Sequence, residues 1–164
     1  MGRPGSLTVE GARPGLTLRA ARVGDASLIR AWRNDPDAVR FSTSARTVSA
    51  AEHARWFSAT LVDPRSRLWV AEEDGVPVGQ VRVDVDGDAG VFSIAVAPAA
   101  RGRGVGQEML RSALGEIERE HLVTTITAES HPDNQASMHA FERVGFRRRG
   151  ASEGGFIVLE LRLG

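Results

Sequence analysis

Apolar residues recur along this chain at two periods, about two and about four residues, and the points where the period changes divide it into elements. Leu16-Thr17-Leu18-Arg19-Ala20 alternates and predicts an edge-like first strand. Asp25 stands where a helix cap is needed, ahead of Leu28, Ile29 and Trp32, and that helix should stop near Asn34-Asp35-Pro36. Ser49 and Glu52 form a capping-box pattern, opening a second helix with Ala54, Phe57 and Leu61 on one face. Leu68 to Glu72 and Val78 to Val85 read as a hairpin joined across Asp74-Gly75. In its second strand Val81, Val83 and Val85 alternate with Arg82 and Asp84, so one face is buried and the other polar.

Asp86-Gly87 turns the chain into an apolar strand ending near Val96, and Pro98 breaks it. A glycine-rich turn follows, then a helix with Val105, Met109, Ala113 and Ile117 at four-residue spacing. Leu122 to Ala128 predicts a Thr-rich strand. Pro132-Asp133 opens a helix at Asn134 with Ala136, Ala140, Phe141 and Val144 on one side. Phe156 to Leu163 closes the chain as a strand, with Ile157, Leu159, Leu161 and Leu163 toward the core. The order is β-α-α-β-β-β-α-β-α-β, an α/β (α+β) arrangement with a mixed sheet and helices on both faces.

Length and composition fit one domain over residues 16–164, since 164 residues suffice for a single core burying close to ~70% of the unfolded surface. Residues 1–15, rich in Gly, Pro and Arg and without periodicity, read as a disordered leader. A formal net charge of zero suggests neither nucleic acid nor an anionic membrane as partner. No apolar run approaches the ~18 residues needed to span a bilayer, and no secretory signal heads the chain, so a cytoplasmic location is expected. Cysteine is absent, which excludes disulfides, thiolate metal sites and a cysteine-linked acyl intermediate. The 4 histidines are scattered without metal-ligand spacing, and no metal is expected.

The chemistry gathers at Arg101-Gly102-Arg103-Gly104-Val105-Gly106-Gln107. Backbone N–H groups of such a turn, with the unpaired N–H groups of the helix that follows, make a concave anion site. Glycines at 102, 104 and 106 remove Cβ atoms that would hold phosphate oxygens away, and Arg101 and Arg103 add charge. This reads as a diphosphate cradle; a plain turn between strand and helix is the other reading. A P-loop would need Lys-Ser/Thr after its last glycine, which Val105-Gly106-Gln107 lacks. The G-x-G-x-G spacing also departs from the dinucleotide fingerprint.

Strand, Pro98, Arg101-x-x-Gly104-x-Gly106 and helix together resemble the acetyl-CoA-binding motif of the GNAT N-acetyltransferase superfamily. A second block, Asn134-Gln135-Ala136-Ser137 with Phe141-Glu142-Arg143-Val144-Gly145-Phe146, resembles that family's Asn-led helix ending in Gly-Phe. The two blocks cover most of residues 67–150. The resemblance implies a GNAT-like, mostly antiparallel sheet whose fourth and fifth strands splay apart around the pantetheine arm of acetyl-CoA. Main-chain groups of Ile94, Ala95 and Val96 would hold that arm, residues 101–107 the diphosphate. Asn134, Ser137 and Phe141 would flank the thioester. Asn134 read alone is equally a helix N-terminal residue serving local backbone.

Transfer to an amine requires a base or water wire and a polarised carbonyl. Glu129, at the end of the fifth strand, is the first candidate base, ahead of His131, Asp84 and Asp88. Ser93 is either a proton relay or a small inward residue. Many family members carry Tyr where this chain has Phe141, and no other Tyr exists to protonate the thiolate. Trp32-Arg33-Asn34-Asp35-Pro36 and Glu52-His53-Ala54-Arg55-Trp56-Phe57 resemble the subgroup that acetylates nucleotide-linked amino sugars in pseudaminic-acid synthesis. On that reading Arg33, Asn34, His53 and Trp56 bind the acceptor. Arg33 and Arg55 would meet its diphosphate, with Trp32 or Trp56 stacking on a ring. The expected protein is an acetyl-CoA-dependent N-acetyltransferase of a small-molecule amine, monomer or homodimer. A protein N-terminal or ribosomal-protein-type acetyltransferase, and a non-catalytic acyl-CoA-binding module, are the alternatives.

Overall fold

The computed structural model describes residues 15–164, so the expectation of a disordered leader lies, but for Gly15, outside the described residues. Seven described strands form one sheet in the order β1-β2-β3-β4-β5-β7-β6. They are β1 (Leu16–Ala20), β2 (Ser66–Glu73), β3 (Val76–Asp86), β4 (Ala89–Val96), β5 (Thr125–Ser130), β6 (Arg147–Ala151) and β7 (Ile157–Arg162). Neighbours are antiparallel except β4 and β5, which run parallel.

Five described α-helices cover the sheet: α1 (Ala26–Arg33), α2 (Pro36–Phe41), α3 (Ala50–Val62), α4 (Val105–Glu120) and α5 (Gln135–Arg143). Alternation along β3 assigns the faces. A Cβ on Gly79 would stand 2.8 Å from the Met109 side chain, so Gly79, Val81 and Val83 face α4. Gln80 and Arg82 face the other way, toward Ile29 of α1 and His53 and Trp56 of α3. The core lies mainly under α4, where Val81, Val83, Met109, Ala113, Ile117, Ile126 and Ala128 are fully buried. Among the described residues no helix is long and apolar enough to cross a membrane.

Four expectations change. Asp25 precedes α1, but its carboxylate makes no cap bond; it binds the Arg19 guanidinium at 2.8 Å and the Arg22 amide at 2.7 Å instead. The first helix stops where expected, with Asn34 as its C-cap, but an unexpected short helix follows at once: Asp35 accepts the Ala38 amide and Pro36 takes the first position of α2, where its missing N–H costs nothing. The fifth strand starts at Thr125 rather than Leu122. The Leu122 amide closes α4 on the Ile117 carbonyl, and the Thr124 and Thr125 amides go to Asp88. Finally, Arg147–Ala151 is a strand that apolar alternation could not reveal. It is an exposed edge, and its arginines are the kind of charge that guards an edge against further pairing.

Candidate active site

The glycine-rich turn is built by backbone geometry. Gly102 and Gly104 hold φ of +77° and +75°, a left-handed conformation that L side chains adopt at a cost. Space is not the reason there, because a Cβ at either position would meet nothing within 4 Å. Gly106 differs. It lies in the first turn of α4, and a Cβ there would press on Val96 at 3.3 Å and Ile94 at 3.7 Å, so its role is to seat α4 on β4. The first helical bond runs from the Glu108 amide to the Gly104 carbonyl. The amides of Val105, Gly106 and Gln107 are therefore left over at the positive end of a 16-residue helix.

Arg101 and Arg103 do not lend this turn free charge, contrary to expectation. Arg101 binds Asp35 at 2.8 Å and Asp37 at 3.5 Å, and Arg103 binds Glu73 at 2.8 Å. They fasten the turn to α2 and to the β2–β3 hairpin. What remains facing an anion is the backbone.

Beside the turn the sheet opens. β4 and β5 pair over four positions, from Ala89↔Thr125 to Phe92↔Ala128, and then stop, although β4 continues to Val96 and β5 to Ser130. Ser93 to Val96 keep their partners on β3 but have none toward β5. A cavity of about 960 Å³ fills the gap and runs from Thr127, Glu129 and Ser130 past Ile94–Val96 to the glycine turn. From α5, Asn134, Ser137 and Phe141 complete it. Asn134 also caps α5, its Oδ1 accepting the Ser137 amide at 3.2 Å, so the local role and a ligand-facing position coincide in one side chain. Phe141 is buried, its ring edge-on to Phe146 at 5.0 Å.

The titratable candidates separate. Glu129 is exposed and lines the cavity. His131 lines it too; its Nδ1 accepts the Asp133 amide at 3.0 Å, which puts the proton of the neutral ring on Nε2. Ser93 lines it and accepts from Arg82 at 3.4 Å. Asp84 is occupied by Arg82 and Ser66, Asp88 by Thr124, and neither lines this cavity.

A second cavity, about 540 Å³, lies under α1 and α3, and Arg33, Gln80 and Arg82 line both. Arg33 Nη1, His53 Nε2 and Gln80 Oε1 around it are buried without a hydrogen-bond partner. Burial, followed by the charge of Arg46, lowers the Arg33 pKa. Burial, followed by Arg30, lowers that of His53 and keeps its ring neutral at pH 7. Trp56 and Arg55 line this cavity, with the Arg82 guanidinium 5.0 Å above the Trp56 ring. Asn34 does not join them. Both atoms of its amide are spent on the Val48 backbone, at 2.9 and 2.8 Å, pinning the segment before α3 to the end of α1. Trp32 is core.

Residues 15–147 match the family model described as "Acetyltransferase (GNAT) domain". The chain belongs to the GNAT acetyltransferase family. An L-2,4-diaminobutyric acid acetyltransferase of Nocardia farcinica is 36% identical over 141 residues, which span 82% of this chain and 65% of that relative. Among solved structures, aminoglycoside acetyltransferase AAC(6')-Ib with ribostamycin and coenzyme A matches with a TM-score of 0.79 at 17% identity, covering 90% and 93% of the two chains. Spermidine N-acetyltransferase of Vibrio cholerae with CoA and spermine matches at 0.80 and 20%, covering 92% and 96%.

In this GNAT domain, sequence reasoning missed Gln80 and Arg82. Both stand on the polar face of β3, which alternation marks as a solvent face. The available signal was that two amphipathic helices, α1 and α3, had to cover that face, and polar residues under such a cover line sites more often than they meet bulk water.

Proposed function

We propose that the chain is an acetyl-CoA-dependent N-acetyltransferase that moves acetyl directly to the primary amine of a small molecule. The observation that carries this is the larger cavity and its neighbour across a shared wall. The larger one joins free amides at the start of α4 to an unpaired edge at Ser93 to Val96, and the second shares Arg33, Gln80 and Arg82 with it. The diphosphate of the coenzyme lies on the amides of residues 102–107, and the amide-rich arm pairs with main-chain groups of Ile94 to Val96. Asn134, Ser137 and Phe141 flank the thioester. The named activities of relatives, on diaminobutyric acid, aminoglycosides and spermidine, are all acetylations of small amines.

The amine nitrogen attacks the thioester carbonyl, the C–S bond breaks, and the thiolate departs. A Lys-like ammonium with pKa near ~10.4 costs roughly 4–5 kcal/mol to deprotonate at pH 7, so a proton acceptor is needed. Glu129 takes that proton directly or through water; the strand registers put it on the same sheet face as Ser93 and Arg82, and all three line the larger cavity. Phe141 has no proton to give, so water protonates the thiolate. Backbone N–H groups of β4 polarise the carbonyl.

Arg33, Arg55 and Trp56, the residues on which the nucleotide-linked amino sugar reading rests, all line the second cavity, so that sugar is one member of the amine panel. Titration calorimetry with CoA and acetyl-CoA, followed by thiol release across an amine panel, tests the proposal. Absence of binding heat with both coenzymes overturns it.

A further inference from the structure

The geometry points to an acceptor that carries a carboxylate beside its reacting amine, with Arg33 as the residue that selects it. This deepens the acetyltransferase reading and rests on it. Four arginines and one glutamate line the second cavity: Arg33, Arg46, Arg55 and Arg82, against Glu52. Most of that charge is spoken for. Arg46 pairs with Glu52 at 3.1 Å, Arg82 pairs with Asp84 at 2.9 Å while lying over Trp56, and Arg55 is exposed to water. Arg33 is different. Its Nη2 donates to Ser44 at 2.9 Å, but among the described residues its buried Nη1 has no acceptor and no carboxylate pairs with this guanidinium.

A buried guanidinium N–H without an acceptor is costly, and an anionic oxygen is its natural complement. The cation is also held against two penalties, desolvation and the nearby Arg46, both relieved by an incoming anion. One open Nη1 suits one carboxylate better than a diphosphate, which would draw on a second unpaired buried cation. A polycationic acceptor would meet like charge. Gln80 Oε1 supplies the complementary half: a buried acceptor on the wall shared by both cavities, placed to receive an N–H of the amine. Arg33 and Gln80 both line the wall shared by the two cavities, so the carboxylate and the amine of one small acceptor are held there together, within reach of the thioester.

The test compares two amines that differ only in the carboxylate, L-2,4-diaminobutyrate and 1,3-diaminopropane, by acetyl-CoA-dependent thiol release from the full chain. A nucleotide-linked amino sugar is the third arm. The expected result is a kcat/KM at least tenfold higher for diaminobutyrate than for diaminopropane. Arg33→Gln should collapse that ratio to near one, mainly through KM, and Arg33→Lys should restore part of it. A cooperative thermal unfolding transition of R33Q, close to that of the unaltered chain, reports that the variant is folded. Equal kcat/KM for the two amines in the unaltered protein overturns the proposal without reference to any variant. So does preference for the nucleotide sugar, or acetyl-CoA binding with no turnover of the carboxylate-bearing amine. Failure to bind acetyl-CoA at all is a separate result, which removes the acetyltransferase reading itself.

Discussion

Glu129 extends from a strand end into the larger cavity, and its value as a base depends on how much of the acceptor is already deprotonated. At neutral pH nearly all of a Lys-like amine is ammonium, and near pH 10 a large fraction is free amine. Glu129→Gln should therefore lower the rate about 100-fold or more at pH 7, within the usual range for losing a general base, and much less at pH 10. A ratio of unaltered to variant rate that stays level from pH 7 to pH 10 would remove Glu129 from the proton path. Phe141 shows a residue-scale limit of a different kind. Its ring packs on Phe146, which lies 6.1 Å from Phe92, so this position joins α5 to β4. That packing accounts for an apolar ring here, and it leaves the departing thiolate to find its proton elsewhere.

The turn and α4 act as one element, and their anion site exists only while Gly102 and Gly104 keep their left-handed conformations. Gly104→Ala should cost about 1–2 kcal/mol of stability, a Tm drop of about 2–4 °C per kcal/mol for a chain of this size. If the amides of residues 102–107 hold the diphosphate, CoA affinity should also fall at least tenfold. Gly87→Ala is the control: φ is +62° in the β3–β4 turn, away from both cavities, so it should lower Tm similarly and leave CoA binding unchanged. Equal CoA affinity in G104A would dismiss the cradle. This element was readable in the sequence because glycine spacing and a four-residue apolar period are both local signals. β2, β3, β4 and β7 were readable for the same reason, each showing alternation or an apolar run. What escaped was non-local. Arg147-Arg148-Arg149-Gly150-Ala151 becomes a strand only because β7 offers it an edge, and α2 forms where Asp35-Pro36 was read as an ending. The two arginines of the turn were read as free charge, because their partners Asp35 and Glu73 are distant in sequence.

At the scale of the whole molecule, the acceptor cavity depends on α1 being held to the sheet, and a partly buried ionic cluster ties the start of α1 to β1 and β2. Arg19 of β1 binds Asp25 in a two-pronged pair at 2.8 Å and Glu72 of β2 at 2.6 Å, while Asp25 also accepts the Arg22 amide just ahead of α1. The hydrogen bonds from Arg19 outweigh the cost of burial and hold the Asp25 carboxyl below its ordinary value. A carboxylate whose folded pKa lies below its unfolded one, near ~3.9, adds stability above that unfolded value. The contribution fades as pH falls through the folded pKa, so it is present at pH 7 and diminishing below about pH 4. Asp25→Asn keeps the shape but leaves Arg19 short of one anion, and it should cost about 1–3 kcal/mol at neutral pH. Thermal unfolding of D25N and the unaltered chain at pH 7 and pH 3 should give a wide gap in Tm at pH 7 and a narrower one at pH 3. An equal gap at both would mean that Asp25 contributes shape and hydrogen bonding alone. Because α1 ends in Arg33, the same substitution should also raise KM for a carboxylate-bearing amine at pH 7 while leaving acetyl-CoA affinity intact, a coupling that a purely local defect at β1 would not produce.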